Sequence, residues 1–138
     1  MVATIKEDQG WSYSGIATET ISGGQLVKAL SKTSTEVDLA LVDAAGDGLL
    51  CVGLATNNAV SGGRVGFMMQ GVADFYAHTA VVAGNIVSAA DGVATADAVI
   101  PHVTSLYVVQ GSQALGRALT SCASAATCRV AFNTYGGY

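Results

Sequence analysis

Residues Val52–Gly71, VGLATNNAVSGGRVGFMMQG, have a degraded copy near the far end of the same chain, Leu115–Phe132, LGRALTSCASAATCRVAF. Gly53 and Ala55 answer to Gly116 and Ala118 at an offset of 63 residues, and Arg64, Val65 and Phe67 answer to Arg129, Val130 and Phe132 at an offset of 65. The drift of two falls in the intervening loop, where an insertion is easiest to tolerate. An earlier pair, Ile21-Ser-Gly-Gly-Gln-Leu-Val27 and Val81-Val-Ala-Gly-Asn-Ile-Val87, is offset by 60. A unit written twice is too short for a solenoid, which needs at least three repeats. It suits two similar β-halves, spanning approximately 16–71 and 80–133, closing around a single core.

The elements read along the chain fit that expectation. Ile16–Ile21 alternates apolar and polar and predicts a short strand. Ser22-Gly23-Gly24 predicts a turn, with Gln25–Leu30 a strand paired back on it. Val37–Leu41 has period two, with Val37, Leu39 and Leu41 inward. Asp43–Gly48 is a turn cluster. Leu49–Ala55 is a continuous apolar strand, buried on both sides or nearly so. Arg64–Gln70 alternates cleanly, with Val65, Phe67 and Met69 on one face, and Gly71 is expected to break it. Val72–His78 is a further strand, and Ala80–Ser88 repeats the glycine hairpin around Gly84. Ala94–Ile100 is Ala-rich and leaves a helical turn before Pro101 open, whereas Val103–Val109 reads as a good strand. Leu115–Leu119 and Arg129–Phe132 complete the second copy. No long amphipathic helix is written anywhere, so the expected class is all-β, a small barrel or sandwich. The inward set should include Val27, Leu39, Val52, Leu54, Val65, Phe67, Val87, Val108, Val130 and Phe132.

Met1–Gly15 shows neither period. Trp11 and Tyr13 stand in it between Gly10 and Gly15. They fit either a first strand whose aromatics cap the core or an extended N-terminal arm (1–15) that anchors on another chain, since Trp and Tyr are favoured interface anchors. The β-domain proper would then be 16–138.

Composition narrows the function. At 138 residues the chain is one domain with room for a core. Only 12% of residues are charged, against a usual ~25%. So few charges suggest a surface covered by a partner, or else a Ser/Thr/Ala-rich extracellular β-protein. A net charge of −4 argues against direct nucleic-acid binding, which wants a basic face. No apolar run approaches the ~20 residues of a membrane helix. The polar N-terminus lacks the apolar stretch of a signal peptide, so synthesis and residence in a cytoplasm are expected at first.

Constellations for chemistry are missing from the sequence. His78 and His102, the two histidines, lie in no catalytic frame, and there is no Gly-x-Ser-x-Gly elbow. Neither do they have metal-ligand spacing. Asp43 and Asp47-Gly48 lack the alternating oxygens of a calcium loop. Ser61-Gly62-Gly63-Arg64 precedes a strand, so no helix dipole would face a phosphate. The expectation is therefore no enzyme, no metal and no cofactor; a small hydrolase stays open only because carboxylate separation in space is invisible in a sequence.

Cys122 and Cys128 flank a five-residue loop, a length at which a hairpin sets its flanking positions opposite each other. A disulfide between them is expected on an exposed particle and two free thiols in a cytoplasm. Cys51, in an apolar strand, should be buried and free.

Two families have such twofold Gly-hairpin patterns. Biotinyl and lipoyl carrier domains require a modifiable lysine in a Met-Lys-Met or Asp-Lys-Ala turn, and Lys6, Lys28 and Lys32 sit in none. The other family is carried by an ordered run of signals: Gly15-Ile-Ala-Thr18, Ile21–Val27, Val52-Gly-Leu-Ala55, Gly63-Arg-Val-Gly-Phe67, Gln70-Gly-Val72, Ala83-Gly-Asn-Ile-Val87, Leu115-Gly-Arg-Ala118 and Arg129-Val-Ala-Phe132. In these, in size and in low charge, the chain resembles the capsid decoration (cement) proteins of tailed bacterial or archaeal viruses. The pair Cys122 and Cys128 departs from that pattern. The resemblance implies a β-rich homotrimer on the outer surface of an icosahedral virion. Its partner there would be the major capsid protein, it would clamp neighbouring capsomers, and nucleic acid and membrane would play no part. Trp11 and Tyr13 would be the capsid contacts. A surface β-domain that binds carbohydrate or a receptor is the alternative, favoured if Tyr76, Tyr107, Tyr135 and Tyr138 cluster in the open.

Overall fold

A computed structural model describes residues 4–8, 12–30, 36–44, 47–90, 96–101 and 114–134. The described residues are all-β apart from one 3-10 turn, Asp47–Leu50. Their strands are β1 (Thr4–Asp8), β2 (Ser12–Ala17), β3 (Leu26–Ala29), β4 (Asp38–Leu41), β5 (Cys51–Ala55), β6 (Arg64–Met68), β7 (Gln70–Ala77), β8 (Ile86–Ala89), β9 (Ala98–Pro101), β10 (Ala114–Ala118) and β11 (Thr127–Asn133). Residues 102–113, including the expected strand Val103–Val109 and the core candidate Val108, lie outside the described residues.

The duplication is complete at the level of hydrogen bonds. β2-β4-β3-β5-β6 closes into one five-stranded barrel, and β7-β9-β8-β10-β11 closes into a second in the same order. In each barrel the first strand runs parallel to the third and antiparallel to the fifth. Ile21 bridges to Ala59 in the first barrel as Val81 bridges to Cys122 in the second. The turn bonds recur too: Ser61 Oγ donates to the Thr18 carbonyl, and Ser124 Oγ to that of His78.

Register corrects the alignment of the second half. Ile16 pairs with Arg64 and Tyr76 pairs with Thr127, so Arg64 is matched by Thr127, Val65 by Cys128 and Phe67 by Val130, an offset of 63. The expected match of Arg64 with Arg129 is therefore off by two. A strand repeats every two residues, so a slip of two keeps every side chain on its own face and leaves the apolar pattern unchanged. The loop holds no insertion. The three extra residues of the second copy lie between β9 and β10 instead.

Other expectations shift for local reasons. β3 pairs with β4 and β5, not with the strand before it, because the chain bends after Ala17 and Ile21 turns to Ala59. Gly71 does not break a strand; the bend is at Met69, and β7 runs through Gly71. The stretch before Pro101 is strand β9, not a helical turn. It is held between β7 and β8, and the β-branched Val99 and Ile100 suit that pairing. Of the expected N-terminal arm, Thr4–Asp8 is a seated strand outside both barrels: it runs antiparallel along Gly71–Asp74 of β7, on the length of that edge that β9 leaves uncovered. From Ser12 onward the chain already belongs to the first barrel.

Two cores result where one was expected. Ala17, Ile21, Val27, Leu39, Leu41, Ala55, Val65 and Phe67 fill the first barrel, joined by Ala96 from the second half. The other core starts on the outer face of the first barrel, with Leu26, Leu54 and Met68. It runs into the second barrel through Phe75, Val87, Val99, Val130 and Phe132. Leu54 is buried, as expected of the inward set, but in the core that runs into the second barrel, and Val52 is only half-buried. The β5 register skips a residue between Gly53 and Cys51, which interrupts the alternation there. Backbone bonds staple the joint as well: Leu26 N–H donates to the Ala96 carbonyl at 2.6 Å, and Thr134 N–H to that of Met69 at 2.8 Å.

The glycine shared by both Gly-x-Ala motifs has a packing cause. A Cβ on Gly53 would sit 2.6 Å from the Met68 carbonyl oxygen and 2.7 Å from the Phe67 ring. One on Gly116 would run into the Ala131 carbonyl and the Phe132 Cα. The loop glycine is not shared. Gly62 takes φ +86 and its counterpart Ala125 takes φ 65, in the region that costs an L-residue roughly 1–2 kcal/mol. Ala125→Gly is therefore expected to stabilise the protein by about 0.5–1 kcal/mol after the extra chain entropy of glycine is counted. A urea midpoint unchanged or lowered would contradict this.

Candidate functional site

The Ser61–Arg64 segment shows what its groups are used for. Gly62 N–H donates to the Ala17 carbonyl at 2.7 Å and Gly63 N–H to that of Val60 at 2.8 Å. Arg64 gives two hydrogen bonds to Glu36, at 2.9 and 2.8 Å, and touches Ser14 Oγ at 3.3 Å. These donors are committed to the barrel end. Arg129, at a different place in the repeat, makes a two-pronged pair with Asp74 across β7 and β11.

Asp47 is a structural anion. It is nearly buried and its Oδ2 lies 2.7 Å from Lys28 Nζ, while also accepting the Ala44 N–H at 3.0 Å. Burial works to raise its pKa, but the hydrogen bonds from Lys28 and Ala44 together with the Lys28 charge outweigh it, and the pKa is lowered. Its contribution to stability is thus fully present above the ordinary aspartate range and is lost as pH falls through its folded pKa. Asp47→Asn should destabilise the protein at neutral pH and flatten the acid limb of its stability curve. Urea midpoints of both proteins from neutral to acid pH measure this; parallel curves would contradict it.

Among the described residues no group of three or more His, Cys, Asp or Glu side chains is placed to hold a metal ion. His78 is exposed, and its backbone ties β7 to β9 and to Ser124. His102 lies outside the described residues. So do Trp11, Tyr107, Tyr135 and Tyr138, which leaves Tyr76, half-buried on β7, as the described member of the expected tyrosine cluster.

Tyr13 is the described aromatic that faces solvent. It is 59% exposed on β2, opposite Phe67, and leans on that ring with centroids 6.1 Å apart and planes at 58°. It thus lies on the inward side of β2, yet beyond the filled part of the barrel, like a cap. Other exposed apolar side chains sit on the loops at the barrel ends. Val60 is 69% exposed beside a shallow depression lined by Thr20, Ile21, Ser22, Asn58 and Ala59, and Val82 and Leu119 stand on the matching loops of the second barrel. Strand alternation alone could not find Tyr13 as exposed, because its parity marks it inward.

The cysteines divide as their surroundings dictate. Cys51 is buried, its thiol pushed up to about 12 by burial. Cys122 and Cys128 are both in the thiol form, and Cys122 packs against the core cluster that contains Cys128. Cys128 is fully buried on β11 and its Sγ donates to the Thr120 carbonyl at 3.1 Å. Burial first, and then the adjacent Cys122, push its pKa up to about 11.

No protein-family model matches this sequence, and no curated protein matches it. Solved structures do. The crystal structure of the head fiber gp8.5 N base in bacteriophage phi29 superimposes with a TM-score of 0.59 at 11% sequence identity, over 89% of this chain and 93% of that one. What the two chains share at this identity is the fold: a double all-β architecture spanning nearly the whole of each.

Proposed function

We propose that the protein is a structural component of a tailed-virus particle that binds the outside of the assembled icosahedral capsid as a homotrimer and clamps neighbouring subunits of the major capsid protein. The observation that carries this reading is the near full-length likeness to the base of a phage head fiber. A low charge content supports it, because broad apolar and hydrogen-bonded contacts then form with little desolvation of charge. Among the described residues, Ser61–Arg64, Asp47 and Arg129 spend their polar groups on turns and ion pairs, which suits a protein that acts by binding. Such a protein stabilises the shell by binding its assembled form in preference to free subunits, and many weak sites act together.

Tyr13 is the contact we assign to the capsid, with Trp11 beside it in sequence. Truncation of a buried aromatic anchor costs roughly 2 kcal/mol or more at an interface, a factor of about 30 in affinity. The test adds folded wild-type, Tyr13→Ala and Trp11→Ala proteins to undecorated capsids of the parent virus and pellets them. Both variants should fold and bind about 30-fold more weakly. Side-chain variants are used because deleting the arm would also strip β1 from β7. Equal binding by the variants would remove the assigned contact; no pelleting by folded wild type would overturn the capsid role. Sedimentation equilibrium tests the trimer, and a monomer at working concentration would reject it.

A further inference from the structure

We propose that Cys122 and Cys128 form a redox modification site that exchanges with a small-molecule disulfide of the glutathione class and closes into an intramolecular bond. The backbone at both positions is fixed. Cys122 exchanges hydrogen bonds with Val81 at 3.0 and 2.9 Å, and Cys128 pairs with Phe75 within the β7–β11 ladder. The loop between them is pinned as well, by Ala125 N–H to the Ala77 carbonyl at 2.9 Å and Ser124 Oγ to the His78 carbonyl at 3.0 Å. This frame holds Cys122 packed against the core cluster that contains Cys128. In the first barrel the same two places are Ala59 and Val65, so the fold itself does not require sulfur there.

Their unequal burial sets the order of reaction. Cys122, half-exposed, loses its proton and attacks the external disulfide, forming a mixed disulfide and releasing one thiol. Cys128, buried behind it, then loses its proton and attacks the Cys122 sulfur, releasing the second external thiol. Two electrons pass to the oxidant, and one S–S bond ends inside the protein. Cys51 is too buried to take part and serves as an internal control. The inference is independent of the proposed capsid role.

The experiment equilibrates folded protein with oxidised glutathione, counts free thiols and measures intact mass. The expected product retains one free thiol of its three, is lighter by two hydrogens, and carries the bond within the tryptic peptide ending at Arg129. Closing so short a loop should raise the melting temperature by roughly 5–10 °C. Cys128→Ser should stop at a glutathione adduct on Cys122, and Cys122→Ser should leave Cys128 unreacted. Wild type that keeps three free thiols, stops at the adduct or engages Cys51 would overturn the proposal.

Discussion

Phe75→Ala is expected to cost about 3–5 kcal/mol of folding stability, the usual range for deleting a fully buried phenylalanine. Phe75 is completely buried on β7 and meets Phe132 edge to face, with centroids 5.9 Å apart and planes at 88°. It belongs to the core that joins Leu26, Leu54 and Met68 of the first barrel to the second barrel. Its counterpart in the first barrel is Gly15, where a Cβ would strike the Val37 carbonyl and press on Leu39. The two barrels thus fill the same position by opposite means, one with a ring and one with the backbone of a neighbour. β7 is paired along both edges, with β11 on one and with β1 and β9 on the other, which limits how far its backbone can close on the vacated space. Against a total of roughly 5–15 kcal/mol for a domain, the loss should be visible as a large fall in the urea midpoint. A shift worth less than about 1 kcal/mol would show that the joint between barrels contributes little.

The same position shows how far the sequence could be read. Apolar alternation and glycine turns sufficed for the all-β class and for two similar halves, because both signals are local. Register was out of reach. Arg64-Val-x-Phe67 and Arg129-Val-x-Phe132 look like partners, yet the ladders match Val65 with Cys128 and Phe67 with Val130. Strand periodicity cannot tell a slip of two from no slip. Strand β9 was hidden for another reason: Val99 and Ile100 favour a strand, but the alanines at 94, 96 and 98 leading into them blur the pattern, and the pairing with β7 and β8 settles it. Tyr13 and Phe67 share a face, so alternation marks both as inward; how far the barrel extends along β2 decides which one water reaches. Surface function was the least readable, since an outer face carries no period of its own.

Leu54 and Arg117 turn that last point into an experiment. They are the same position of the repeat, each the middle residue of the Gly-x-Ala motif on the outer face of its barrel: Leu54 pairs with Met68, and Arg117 with Ala131. Leu54 is fully buried because the second barrel covers it, whereas Arg117 is exposed and donates to the Gly84 carbonyl at 2.8 Å. Leu54→Arg should therefore be among the most damaging single changes. It deletes an apolar side chain worth about 2–5 kcal/mol in a core and adds a charge that has no partner there. Arg117→Leu removes one exposed hydrogen bond and should change stability by no more than about 1 kcal/mol. Chemical denaturation monitored by circular dichroism reads both, and limited proteolysis adds whether Leu54→Arg leaves the halves separated but folded. Each barrel is closed without the other, so a loss of cooperativity, with two transitions in place of one, is the expected form of the damage. If Leu54→Arg and Arg117→Leu shift the midpoint alike, the two outer faces are equivalent after all, and the packing of one barrel against the other is not what holds the chain together.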